Sequence, residues 1–347
     1  MSSGPTAVPV FIADFGTAFE DVARVNSWPD LPRAAGEGAA SGVTGGVLRG
    51  YFDNGGGYCY LTNTAGKNMQ EALTSVEAFD DVTILVPLGL WDGGADTAGE
   101  TARAVTAHAA AHRAMAILHA GRDHDVRQAR DAARAFKLDA DQSSHAALYH
   151  PWLIPSADGA QPVPPVGAVA GVWCRVDRDR GVWKAPANAT VYGARPSQAV
   201  TDAGQGEAQP VDVLREFPGQ STLVWGARTL NETDDRWKHI PVRRLADMVE
   251  RDLQGALNFA AFEPNSQPTW EALRAAADNY LLALWKQGGL QGHTPKEAYF
   301  VQIGESVTMT EEDVKAGRIV MKIGLAVVRP GEFIPVTVTM TGTVGQA

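Results

Sequence analysis

His108 and His112 stand four residues apart in HAAAH, the spacing at which imidazoles on successive helical turns reach one metal ion. Hydrolytic chemistry at such a pair needs a glutamate beside the first histidine. That position is Ala109, so the motif lacks its general base. On an alanine-rich helix the pair reads more simply as exposed or core-edge histidines. His119, His124, His145 and His150 add no ligand spacing. Cys59 and Cys174 belong to no CxxC pair and read as reduced, buried thiols. The glycine-rich stretches GVTGGVLRG (42–50) and DNGGGYC (53–59) hold neither the phosphate-cradling GxxxxGK(S/T) nor GxGxxG. No GxSxG elbow presents a serine nucleophile. The paired carboxylates Asp80–Asp81 and Glu311–Glu312 read as solvated turns. No catalytic, cofactor or metal site is therefore expected, and the rival reading is an α/β enzyme of unknown class with a cleft near the histidines.

The 347 residues allow one large domain or two medium ones, and 45% apolar with 20% charged residues is ordinary for a globular chain. Net charge is −10, and most of it sits in residues 1–150, which carry 11 basic and 18 acidic groups. Such a surface repels phosphate backbones and anionic bilayers, so no nucleic-acid or membrane partner is expected. No signal peptide and no apolar run of spanning length is present, which places the chain in the cytoplasm of its producer.

The elements follow from pattern. Val8–Phe15 is the first strand, and a polar, loop-like stretch runs from Gly16 to about residue 46. Residues 47–63 read as two strands around the turn FDNGGG. A helix near 66–78, the strand Val82–Leu88 and a helix to about Arg113, opened by a Thr97–Glu100 capping box, come next. A further helix is expected over 166–178 and a polar connection over 196–215. Thr269–Gln287 is the clearest helix: Trp270, Leu273, Ala277, Tyr280, Leu281 and Leu284 share one apolar face, and Gly288–Gly289 stops it. A capping box at Thr310–Asp313 precedes the alternating strand Arg318–Val328. After Pro330 a last strand alternates through Ile334, Val336, Val338 and Met340. Strands alternating with helices predict a mixed, largely parallel sheet covered on both faces.

Within this pattern GVWCRVDRDRGVWKAPAN (171–188) stands out. Residues 171–195 carry five basic groups, Arg175, Arg178, Arg180, Lys184 and Arg195, against two acidic ones. DRDRG reads either as a solvated helix end with internal ion pairs or as an oriented contact, since local charge opposes the global sign. Arg243 and Arg244 in VRRL invite the same reading more weakly, because either can pair with Asp247 or Glu250.

The same stretch recurs in order with HAALYHPWL (145–153), VWGARTL (224–230), WKHIPVRRL (237–245), FEPN (262–265), LLALWKQGGLQG (281–292), EAYFVQ (297–302) and RPGEFIPVTV (329–338). This ordered set resembles the contractile tail sheath family of phage tails and related injection machines. The family's aromatic–Asn–Gly–Gly hairpin falls on FDNGGG, and its pattern places a strand at Ala114–His119. The resemblance implies a subtilisin-like α/β core without a catalytic triad, followed by a C-terminal α+β domain with an extended strand. The boundaries are 1–20 for a short N-terminal arm and first strand, 21–235 for the core, and 236–347 for the C-terminal domain, whose linking strand is 331–344. It implies a structural subunit, not an enzyme, that polymerises as stacked hexameric rings around an inner tube and contracts to drive the tube through a target envelope. Its implied partners are further copies of itself, the inner tube protein, baseplate and sheath-terminating proteins, and other sheath isoforms, in a particle that can be released from the cell. Candidate intersubunit or tube contacts are Arg175, Arg178, Arg180, Lys184, Arg243, Arg244, Glu332, Phe333, Ile334, Val336 and Val338. Most of the family begins with an arm ending in a PGVYVEE-like segment, whereas here Ser2-Ser3-Gly4 lies almost on the first strand. That implies either a truncated or misassigned start, or a variant linked by fewer strands. Without a large inserted domain, the length resembles the compact sheaths of extracellular or cytoplasmic injectors.

Overall fold

A computed structural model of the protein describes residues 4–157, 159–256, 258–260, 263–327 and 333–341, the last as backbone only. The chain divides into two compact units, Pro5–Arg244 and, with Gly4, the residues from Leu245 onward. The division therefore falls inside a helix, C-terminal to the expected boundary at residue 235.

In the first unit, strand β1 (Pro9–Ala13) is followed by β2 (Val22–Val25), α1 (Leu31–Ala35), α2 (Gly42–Asp53), β3 (Cys59–Asn63) and α3 (Met69–Thr74). Then come β4 (Ile84–Pro87), α4 (Gly94–Ala111), β5 (Met115–His119), α5 (Val126–Ala135), α6 (Ala140–Ser144), β6 (Ala146–His150) and β7 (Leu153–Pro155). Next are α7 (Val166–Arg180), β8 (Ala189–Thr190), β9 (Ala194–Pro196), α8 (Asp202–Ala208), β10 (Asp212–Arg215) and β11 (Leu223–Trp225). Helix α9 (Ile240–Ala256) carries the boundary between the units.

A nine-stranded sheet in the order β2-β3-β1-β4-β5-β6-β10-β11-β8 forms the centre. It is parallel from β3 through β10, and antiparallel pairs close both edges. β1 is thus an interior strand of this sheet and not part of a separate arm. Its interior strands are buried at nearly every residue, as parallel strands covered on both faces must be. Period-two alternation sends Phe11, Ile84, Val86 and Ile117 into one core with α2 and α7, and Val10, Ile12, Leu85 and Leu118 into a second with α4 and α5.

Four sequence expectations need correction. Residues 47–53 are helical: GVTGGVLRGYFD buries Val47, Leu48 and Tyr51 on one side, and Asn54 ends α2 where a hairpin turn was expected. Asn54 Nδ2 donates to Gly50 O (2.9 Å) and its Oδ1 accepts from Tyr192 N (2.8 Å), so it caps the helix and ties it to the segment before β9. The stretch read as a loop up to residue 46 contains β2 and α1. Helix α4 starts at Gly94, and Thr97 Oγ1 donates to Gly93 O within the first turn, so the Thr97–Glu100 box is not formed. The expected connection 196–215 holds α8 and β10, a buried strand too short for its alternation to stand out.

Helix α2 packs against two glycines of α7. A Cβ on Gly167 would lie 2.0 Å from Val47 O, and one on Gly171 would lie 2.3 Å from Tyr51 O. Only hydrogen fits at these two points, so the helices approach at backbone contact. Alanine is favoured over glycine in a helix by about 1 kcal/mol, but overpacking against backbone opposes it. Gly167→Ala is therefore expected to destabilise the protein by about 1–3 kcal/mol net. Gly57→Ala, with nothing within 4 Å of the added carbon, is the neutral control. Equal melting temperatures for the two variants would refute the close approach.

The second unit continues with α10 (Gln267–Lys286), α11 (Pro295–Ala298), β12 (Tyr299–Ile303), α12 (Glu311–Lys315), β13 (Arg318–Ala326) and β14 (Phe333–Thr341). All six residues of the expected apolar face of α10 are buried. Gly288, at φ +82°, turns the chain after it. Thr310 and Asp313 form the expected capping box of α12. On β13, Ile319, Met321, Ile323 and Leu325 are buried, as their alternation requires. The three-stranded sheet runs β12-β13-β14, antiparallel throughout, with Arg318 opposite Thr341 and Ala326 opposite Phe333. Val328, residues 329–332 and the end of the expected linking strand, 342–344, lie outside the described residues.

Candidate functional site

Helix α7 positions the basic stretch. Its first turns, Val166 to Cys174, are wholly buried, and its last turn is exposed at Arg178, Asp179 and Arg180. Trp173, with no exposed surface, donates from Nε1 to Tyr149 Oη (3.2 Å) and fixes the helix to the sheet. One turn later Asp177 accepts Arg244 Nη1 (3.0 Å), Arg244 Nη2 (2.6 Å) and the Thr6 hydroxyl (2.6 Å). Arg244 Nη2 also donates to Thr6 O, and the guanidinium lies 4.5 Å from the Trp173 ring centre. The Arg244 and Asp177 side chains are 3% and 5% exposed. This forked, stacked pair binds the N-terminal segment, α7 and the start of α9 together.

The candidate contacts thus separate by depth. Arg244 is committed to Asp177, not to Asp247 or Glu250. Arg243 is buried and stacks 3.9 Å from the Trp237 ring centre. Arg175 reaches inward: it donates to Asn54 O and Thr190 O and covers the Tyr192 ring. Lys184 is half-buried beside Ala185 O. Arg178 and Arg180 face solvent, Arg178 with Asp179 and Gly55 O as partners. Phe333, Ile334, Val336 and Val338 lie on β14, and Glu332 falls outside the described residues. The Asp177 partner escaped the sequence reading, although Trp173 and Asp177 share the one-turn spacing that puts both on the buried face.

No hydrolytic arrangement forms around the histidines described. Ser144 Oγ (3.1 Å) and Asp141 O (2.9 Å) both approach His145 Nδ1, whereas a serine relay needs the nucleophile and the carboxylate on opposite ring nitrogens. His119 and His150 are buried, which holds their pKa down at about 4 and the rings neutral. His108 is held down to about 4 by burial first and His112 second. Both cysteines are free and buried; burial pushes the Cys174 thiol up to about 11 and Cys59 higher still, so neither is poised as a thiolate nucleophile. Among the described residues no helix is long and apolar enough to cross a membrane.

The doubly covered α/β sheet, braced by Arg175, Arg243 and Arg244, is thus followed along the chain by a small unit with an antiparallel sheet. Residues 232–341 match the phage tail sheath C-terminal domain family. The chain is 40% identical to the sheath of an extracellular contractile injection system, PVC, in the contracted state, covering 96% of this chain and 91% of that one at a TM-score of 0.82. It is 34% identical to the contracted helical sheath of the anti-feeding prophage, covering 96% and 93% at 0.80. A sheath tail protein from Listeria innocua shares the fold at 11% identity, covering 98% and 96% at 0.72. No curated protein matches the sequence. The chain belongs to the contractile sheath protein family.

Proposed function

We propose that this sheath subunit polymerises as stacked hexameric rings around an inner tube and contracts to drive that tube through a target envelope. The observation that carries the reading is the 40% identity over 96% of the chain to a sheath in its contracted state. With no nucleotide motif in the sequence, the work of contraction is assigned to contacts that differ between the extended and contracted lattices. Arg178 and Arg180, the exposed cations on an anchored helix end, are the first-choice contacts with an acidic neighbour or the tube. Arg175, Lys184, Arg243 and Arg244 are the second-choice contacts, since within the single chain they are half-buried or buried. Residues 331–344 serve as the linking strand: β14 is an edge strand, and a neighbour's copy could replace it on β13 by strand exchange. The other partners proposed are baseplate and sheath-terminating proteins and further sheath isoforms. The subunit is assembled in the cytoplasm of the producing bacterium, into a particle that can be released.

Electron microscopy of the purified protein with its tube protein tests this. Ribbed hollow cylinders or rings are expected, and dispersed monomers at every salt concentration would overturn the reading.

A further inference from the structure

The last turn of α4 and the residue that caps it bring His108 and His112 together, with their rings stacked at 4.2 Å between centres and 23° between planes. The sequence offered them no third ligand. The fold supplies one: Glu77, on the short turn after α3, lies with its Oε1 3.9 Å from His112 Nε2. One donor atom from each of the three residues lies within 4.8 Å of the others. We propose that Glu77, His108 and His112 form a binding site for a zinc-class divalent cation.

Two of the three ligands are chain neighbours of core residues. Val76, beside Glu77, and Ala109, beside His108, are buried in the same core. His108 is only 9% exposed, whereas the side chains of His112 and Glu77 are each 46% exposed, which leaves the outer face open for water as a fourth ligand. Donors on one tetrahedral zinc ion stand about 3.3 Å apart, given metal–ligand distances near 2.0–2.2 Å. The remaining approach is assigned to the two half-exposed side chains, His112 and Glu77. Two imidazoles and one carboxylate select a borderline first-row ion over calcium or magnesium, which prefer oxygen. The carboxylate and the carbonyl end of α4 both favour a cation. With Ala109 where a general base would stand, the ion's role is to clamp the turn after α3 onto α4, not to hydrolyse a bond.

The untagged full-length chain, stripped with chelator and titrated calorimetrically with zinc chloride, is expected to bind one ion per chain and to melt at a higher temperature when loaded. His112→Ala and Glu77→Ala should each weaken binding at least about tenfold. Magnesium should produce no response. Both variants change exposed side chains, so their metal-free melting temperatures should match the parent and separate ligand loss from misfolding. Absence of zinc binding overturns the site. Unchanged affinity in either variant overturns the three-ligand assignment.

Discussion

Asp177→Ala is expected to cost about 3–5 kcal/mol of stability, because it leaves the Arg244 guanidinium buried without its counter-charge. Arg244 cannot relieve that by losing its proton, and at 3% side-chain exposure it cannot rotate into water without leaving its stack on Trp173. Desolvation decides the magnitude. Arg134 and Glu232 make a comparable two-pronged bridge (3.0 and 2.7 Å), but with side chains 51% and 42% exposed. Glu232→Ala should therefore cost less than about 1 kcal/mol. Replacing both members, Asp177→Leu with Arg244→Met, should recover much of the loss, since a well-packed apolar pair avoids desolvating two charges. Urea unfolding of the dispersed chain provides the measurement. A cost for Asp177→Ala no larger than that for Glu232→Ala would show that the pair does not brace the unit.

Deleting residues 331–347 is expected to abolish assembly while the Pro5–Arg244 unit remains folded. The deletion removes β14, whose register with β13 runs from Arg318–Thr341 to Ala326–Phe333. β13 keeps β12 along its other edge. The nine-stranded sheet lies in the other unit and loses no strand. Truncated protein should retain the main melting transition and its far-ultraviolet spectrum, yet give no cylinders by electron microscopy under conditions where the full chain does. Cylinders from the truncated chain would reject 331–344 as the link.

The parts of the fold most legible in the sequence are those with long or uninterrupted apolar pattern. The apolar face of α10, the alternation along β13 and the buried runs of β1 and β4 were readable because burial on a helix face or in a parallel strand leaves a periodic or continuous trace, whereas the short run of β5 was placed only by the family resemblance. α2 was misread because its own glycines suggest a turn, while the glycines that let a helix pack against it belong to α7. Gly46 and Gly50 resemble turn residues until Gly167 and Gly171 come up against the same helix, a contact between segments far apart in sequence. The basic stretch was legible as composition but not as depth: charge counting cannot distinguish exposed Arg180 from Arg244, whose acid lies in a different helix. Glu77 was hidden for the same reason, since only packing of the turn after α3 carries it to the histidines.

Pairing of β14 with its own β13 sets a concentration scale for the proposed assembly. A strand held on a short tether meets its acceptor at an effective concentration of about millimolar, which free subunits at lower concentration cannot match. Exchange with a neighbour replaces one ladder by an identical one, so it gains little enthalpy from the ladder itself. Dispersed chains would then remain closed on themselves, and strand exchange would become competitive where a nucleating surface holds a second subunit equally near. Under that linkage, growth is confined to the end of an existing assembly, and cylinders should appear only after a lag that added seeds remove.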